Sequence, residues 1–319
     1  MSGEQLLDEL VHDVGAPADD PATVVWVTCA DLPDGDPDDH LALPAMASAG
    51  LDVRYLAWDD EQAWQDPEVR SSLVVVRSTW DYTLRREEFL AWAASVPHLA
   101  NPAEVIAWNT DKVYLDELVQ AGLPVVPTRT VRPGEDVAGA VAEAFAGAAE
   151  VVVKPTVSAG SKDTRRHGDA AQALAHAEQL LRAGRPVLVQ PYLDGVDTLG
   201  ETGMVVLDGT VSHAFRKGQL LHADAEATDG LYAEEDIAAT TATAEQLEVA
   251  RSVTEFLLRR FPEHAPLLYA RVDTVPGPDG HPLLLELELT EPSLWLVADP
   301  GAGQEWAQVH RRRLRTLRG

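Results

Sequence analysis

Val151-Val152-Val153-Lys154-Pro155, followed by Thr156-Val157-Ser158-Ala159-Gly160-Ser161-Lys162-Asp163, is the stretch that decides the fold. Three consecutive β-branched residues after an alanine-rich segment predict a buried strand. Lys154 stands at its end, where the proline removes the next backbone donor. Small residues follow, and their N–H groups and hydroxyls can face an anion. A lysine at a strand end before such a loop suits a phosphate, although any strand–turn unit shares the pattern. The sequence G-x-x-x-x-G-K-[ST] is absent and no G-x-G-x-x-G opens a helix, which excludes the P-loop and the dinucleotide fingerprint.

Leu283-Leu284-Leu285-Glu286-Leu287-Glu288-Leu289 makes the phosphate reading firmer. At period two, Glu286 and Glu288 share one face, and Leu285, Leu287 and Leu289 the other. Two neighbouring carboxylates in so apolar a strand repel each other and lose hydration unless a cation sits between them. Leu267-Leu268-Tyr269-Ala270-Arg271-Val272-Asp273 reads as a second strand, and Pro276-Gly277-Pro278-Asp279-Gly280 as the turn between them. An antiparallel hairpin brings Asp273 within reach of Glu286 and Glu288. Three hard oxygen ligands with an arginine nearby suit Mg²⁺ carrying nucleotide phosphates. The alternative is a solvated strand face.

The 319 residues suffice for two or three subdomains. Lys+Arg 25 against Asp+Glu 52 gives a net charge of −27, which argues against nucleic-acid and anionic-membrane partners. The single cysteine, Cys29, excludes an internal disulfide framework and suits a reducing cytoplasm. It reads as a small buried hydrophobe rather than a nucleophile. With no long apolar run and no signal-peptide pattern, neither a membrane span nor secretion is expected.

Residues 1–22 are acidic, contain two prolines, and read as a flexible terminus. Short apolar runs at 23–28, 52–57 and 73–76 then alternate with helix-like segments at 38–49 and 87–95, the pattern of a small open parallel sheet. Ligands in such sheets sit beyond the carboxyl ends of strands. Arg77 therefore reads as a carboxylate or phosphate contact, or else as a surface ion pair. Asp38 and Asp39 read as helix N-caps or as anchors for a substrate ammonium. Asn109-Thr110-Asp111-Lys112 predicts a helix start, with the helix running to Gln120; a lysine there opposes the helix dipole. A strand over 125–131 and a helix over 138–149 lead to the opening stretch. Beyond it, a helix over 170–183 and a strand over 187–190 precede two strands joined by Asp208-Gly209, a type I′ hairpin signal. A helix over 244–260 precedes the acidic hairpin.

The motifs RSTWDY (77–82), NTDKVYL (109–115), VVVKP (151–155), SKD (161–163), QPY (190–192), VDTLGET (196–202), SHAFRKG (212–218), ARVD (270–273) and LELELTEPSLWL (285–296) follow one another in an order that resembles the ATP-grasp superfamily. Within it the chain resembles glutathione-synthetase-like and RimK-like ligases, and among these the O-ureido-serine cyclo-ligase type. The resemblance implies an α/β (α+β) ATP-grasp fold. A small N-terminal parallel-sheet domain over 23–108 would be followed by a central lid subdomain over 109–189. A C-terminal subdomain over 190–319 would carry the metal site and clamp ATP against the lid.

The resemblance further implies that Lys112 and Lys154 hold the α- and β-phosphates, while Ser158, Gly160 and Ser161 cover the transferring phosphoryl group. Gln190 and the backbone of Tyr192 and Leu193 would meet adenine, and Asp197 the ribose hydroxyls. Asp273, Glu286 and Glu288 would ligate Mg²⁺. Arg271 would stabilise the transferred charge, acting with Lys154 and Ser161 as the catalytic groups. Arg77, Trp80, Arg216, Lys217, Glu291 and Ser293 would face the substrate. Gln190 and Glu288 stand where many relatives carry Glu and Asn. The activity implied is an ADP-forming carboxylate–amine ligase working through an acyl phosphate on a small amino-acid-like substrate, with ATP and Mg²⁺ as cofactors and a homodimer as the assembly. The alternatives are an intramolecular cyclo-ligase of a ureido or amino acid, a phosphotransferase, and a non-catalytic ATP sensor.

Overall fold

The computed structural model describes residues 22–218 and 236–318. The flexible terminus expected over 1–22 lies outside them except for Ala22. Strands β1 (Ala22–Thr28), β2 (Leu51–Ala57), β3 (Leu73–Ser78) and β4 (Leu99–Ala100) form a parallel sheet in the order β2-β1-β3-β4. Both faces are covered, so its central strands are apolar throughout rather than alternating. Val24, Trp26, Leu73 and Val75 enter one core. Val25, Val27, Val74 and Val76 enter another. The helix expected over 38–49 is divided: a 3-10 turn, Pro37–Ala42, precedes the helix Leu43–Ser48, whose Pro44 lacks the N–H that a continuous helix requires.

A second, antiparallel sheet comprises β5 (Arg129–Val131), β6 (Val151–Pro155), β7 (Arg165–His167) and β8 (Val187–Pro191), in the order β5-β8-β6-β7. The helices Val137–Gly147 and Ala170–Arg182 cover one face, where Val151, Val153, Val187 and Val189 meet Ala140, Ala173 and Ala177. Val152, Lys154 and Gln190, on the alternate phase, face a cleft. The strand expected over 125–131 shortens to β5 because Pro127 cannot donate to a ladder.

The third sheet is antiparallel, β9 (Glu201–Leu207), β10 (Thr210–Lys217), β11 (Ile237–Thr240), β12 (Tyr269–Pro276) and β13 (Pro282–Glu288), in the order β11-β10-β9-β12-β13. Asp208 and Gly209 both take positive φ, 51° and 83°, as a type I′ turn requires. A capping box between Thr243 and Gln246 starts the helix Ala244–Arg260. Val205, Leu207, Phe215 and Tyr269 of this sheet, with Leu268 just before β12, share a core with Val24, Trp26 and Val75 of the first, closed by Trp306 of the helix Ala302–Arg318.

Candidate active site

The expected acidic hairpin forms. Asp273 pairs with Glu286, and Arg271 with Glu288, in the antiparallel ladder of β12 and β13. The register slips between Asp273 and Thr274, leaving Leu285 as the extra residue of a bulge. That slip corrects the simple alternation. Leu284, Leu287 and Leu289 enter the core, whereas Leu285 lines the cleft together with Glu286 and Glu288.

The cleft, of about 500 Å³, lies between the second and third sheets. Lys112 reaches it from a break between two helices, Ala103–Asn109 and Tyr114–Gln120, and not from the first turn of one helix. Its N–H donates to the Thr156 carbonyl at 2.8 Å, pinning the break to the loop after β6. Its Nζ donates to the Ser158 carbonyl at 2.6 Å and pairs with Glu286 at 3.2 Å. Lys154 approaches the other oxygen of Glu286 at 3.9 Å. Burial drives the Lys154 pKa down and Lys112 adds to that, against the pull of Glu286. Burial would raise Glu286, but the two lysines outweigh it and hold the carboxylate ionised. Gly160 and Ser161 line the mouth at φ 58° and 59°, a left-handed pair that costs nothing for glycine and is uncommon for serine.

Asp273 is gripped from two sides. Arg271 donates to both its oxygens, and Lys217 pairs with it at 3.1 Å and with Glu201 at 2.7 Å. Burial would raise Asp273, but Arg271 and Lys217 together hold its pKa at about 2. Arg271 also bonds Glu288, which burial and the neighbouring Asp273 and Glu286 push upward against that guanidinium. Burial raises Glu201 and Glu291 to about 7.

The convergent triad expected from Asp273, Glu286 and Glu288 is therefore not assembled. Among the described residues no three acidic, histidine or cysteine side chains stand as a metal-holding group. Each carboxylate turns instead to the nearest lysine or arginine. The donor chemistry still suits a hard divalent cation. Six carboxylates (Asp36, Glu201, Asp273, Glu286, Glu288, Glu291) line the cleft with four cations, Lys112, Lys154, Lys217 and Arg271. Burial is the main cause of the upward shifts at Glu201, Glu288 and Glu291, and neighbouring carboxylates add to each. Asp273, Glu286 and Glu288 are hard oxygen donors of the kind that Mg²⁺ takes, and all three line the cleft.

The remaining expectations divide. Ser158, Gln190, Tyr192, Leu193, Trp80, Lys217, Glu291 and Ser293 line the cleft. Arg216 does not: it is exposed, because adjacent strand residues point oppositely and Lys217 takes the inward position. Arg77 does not either. It is fully buried, its guanidinium donating to both oxygens of Asp39 and to the Pro292 carbonyl at 3.0 Å. Asp39, read as a cap or an ammonium anchor, is its partner; Asp38 caps the turn at Leu296. Asp197 stands just outside the lining and is bonded by Arg166, which lies over the Tyr192 ring at 3.6 Å, and by the Tyr192 hydroxyl. Asp36, Tyr82, Glu201 and Trp295 also line the cleft and escaped the sequence reading. Tyr82, Glu201 and Trp295 stand within the motifs RSTWDY, VDTLGET and LELELTEPSLWL, but no role was read for them.

A family model for the N-terminal domain of D-cycloserine synthetase DcsG matches residues 24–101. The cycloserine biosynthesis protein DcsG of Streptomyces lavendulae is 37% identical over 292 residues, covering 86% of this chain and 92% of that protein. The chain belongs to the DcsG family of ATP-grasp ligases. The crystal structure of D-cycloserine synthetase DcsG superimposes with a TM-score of 0.81 at 34% identity, over 92% of this chain and 100% of that one. The ATP-grasp fold is shared more widely. A RimK domain protein from Sphaerobacter thermophilus DSM 20745 gives a TM-score of 0.62 at 17% identity, over 90% of this chain and 99% of that one. D-alanine–D-alanine ligase from Bacillus anthracis gives 0.61 at 14%, over 93% and 99%. A DcsG-family chain is an ATP-dependent ligase, and the described residues include no helix long and apolar enough to cross a membrane.

Proposed function

We propose that this ligase forms ADP, phosphorylates a small carboxylate and delivers the acyl group to a nitrogen nucleophile. The observation that carries the reading is the meeting of Lys112 and Lys154 at Glu286, 3.2 and 3.9 Å away, in a cleft that also holds Arg271. Buried lysines facing a carboxylate-rich wall suit a polyphosphate whose charge is shared between protein cations and a metal. Glu286 and Glu288, with Asp273 beside them, would hold Mg²⁺, which would supply neutralisation of the phosphate charge.

A carboxylate oxygen of the substrate attacks the γ-phosphorus of ATP and ADP leaves, giving an acyl phosphate. The nitrogen then attacks the acyl carbon, the C–O bond to phosphate breaks, and the nitrogen gives up its proton. Phosphoryl transfer depends on alignment and charge cancellation, so Lys112, Lys154 and Arg271 act by position. Ser158, Gly160 and Ser161 lie at the mouth, where they exclude water that would hydrolyse the acyl phosphate. Lys217 and Ser293 line the cleft beyond Arg271 and orient the acyl substrate, with Trp80 and Glu291 beside them. The likeness to a cycloserine biosynthesis protein favours the intramolecular form, in which one amino-acid-like molecule supplies both carboxylate and nitrogen.

The test is a library of amino acids, dipeptides and ureido amino acids incubated with ATP and Mg²⁺. Substrate-dependent ADP and phosphate support the reading. Release of AMP with pyrophosphate overturns it, and a stable phosphorylated product makes the protein a phosphotransferase.

A further inference from the structure

Gln190 closes one wall of the cleft and is 2% exposed. Its side-chain amide can present either a carbonyl or an NH₂ to a ligand, and the two faces have opposite preferences. A chain of three groups decides between them. The Thr128 hydroxyl donates to the Val126 carbonyl at 2.7 Å. That carbonyl belongs to a residue 1% exposed and has no other donor among the described residues. With its single proton committed, the Thr128 oxygen can only accept, and it does so from Gln190 Nε2 at 2.7 Å. Flipping the Gln190 amide would set oxygen against oxygen or strand the buried Val126 carbonyl, either of which is unfavourable.

We infer that Thr128 is a positioning residue for nucleobase choice, holding Gln190 Oε1 toward the cleft as a fixed acceptor for a 6-amino purine. The inference rests on the ATP reading of this cleft and adds the means by which the base is selected. Adenine donates from its exocyclic amine to Oε1. A 6-oxo purine brings a carbonyl lone pair to the same oxygen and is rejected. A glutamate at position 190 would offer an acceptor in either orientation. Glutamine does so only while a neighbour blocks its flip, so the Thr128 proton commitment supplies what glutamine by itself lacks.

The experiment measures Kd for ATP, inosine triphosphate and purine riboside triphosphate with Mg²⁺ by calorimetry on the full chain. Wild type should bind ITP at least about 30-fold more weakly than ATP, with the unsubstituted purine between them. In Thr128→Val, which keeps the branched shape and removes the acceptor, the ITP/ATP ratio should fall below about fivefold as the amide turns to suit either base. Thr128→Ser should keep the wild-type ratio. Thr128→Ala, less demanding sterically, reads the same ratio should the valine variant not fold. Equal weakening of both nucleotides with the ratio unchanged would show Thr128 to be merely structural and overturn the inference while leaving the ATP reading intact. A folded wild type that binds none of the three nucleotides overturns the ATP reading, and the base selection with it.

Discussion

Replacing Asp39 by asparagine isolates one buried charge. Asp39 and Arg77 are each 0% exposed, and burial raises the Asp39 pKa to about 6 against the pull of Arg77, so the pair is ionised at neutral pH. Arg77 Nη2 lies 2.8 Å from Asp39 Oδ1 and Nε 3.0 Å from Oδ2; Nη1 has no hydrogen-bond partner among the described residues. Without the carboxylate the guanidinium keeps the Pro292 carbonyl and the faces of Tyr269 and Trp306, 5.7 and 5.5 Å from its central carbon. Stranding a buried charge costs about 3–5 kcal/mol, which for a chain of this size lowers Tm by roughly 4–8 °C. Thermal unfolding followed by circular dichroism reads the shift. The double variant Asp39→Leu, Arg77→Met, with no charge left to strand, should recover at least half of the loss. If Asp39→Asn unfolds within about 1 kcal/mol of wild type, the Arg77 guanidinium is not held in the core by this pair.

Lys154→Met and Glu286→Gln should each lower ATP-dependent product formation about 10²–10³-fold, measured as ADP release with a turned-over library compound; losses under threefold would remove them from the phosphate site. Adding EDTA should abolish ADP release and excess Mg²⁺ restore it. His310 is fully buried, accepts from the Trp26 indole at 3.1 Å and donates to the Trp306 carbonyl at 2.8 Å, and burial drives its pKa down to about 3 from 6.5. Its neutral form is the one the fold holds, so this stability is complete above pH 6.5 and is lost as pH falls toward 3; by pH 5 the loss is about 2 kcal/mol. Urea titrations of His310→Gln should lack that share of the acid slope, and an unchanged slope would count against it. Gly203→Ala should destabilise by about 1–3 kcal/mol, because the added methyl would lie 2.3 Å from the Phe215 ring beneath Arg271; equilibrium unfolding reads the cost.

The fold was legible where period and chemistry coincide. Alternating apolar runs announced the parallel sheet, and the Glu-x-Glu strand with its Pro-Gly turn announced the hairpin and its register partners, Asp273 and Arg271. What escaped the sequence was direction. Nothing local says that Arg77 points into the core toward Asp39, because its partner is 38 residues away and its carbonyl acceptor 215. The bulge at Leu285 was equally hidden, since a run of leucines fits either phase. The three acidic residues were placed as neighbours, but their cations come from several elements: Arg271 of the same hairpin takes Glu288 and Asp273, while Lys112 and Lys154 reach Glu286 and Lys217 reaches Asp273 from elsewhere. Asp36 and Glu201 line the cleft only because distant strands bring them there.

The uneven sharing of hydrophobic cores has a practical consequence for building hybrids between relatives. Between its strands and its two helices, the second sheet buries an apolar layer of its own, and of its strand residues only Leu188 reaches across into a neighbouring core. Residues 129–191 therefore form a cassette that a homologous counterpart could replace with few seams to mend. Residues 22–101 could not be exchanged by themselves. Their inner layer is completed by Phe215, Leu268 and Trp306, and Arg77 is bonded to the segment after β13, so a transplant would have to carry the C-terminal helix and that loop with it.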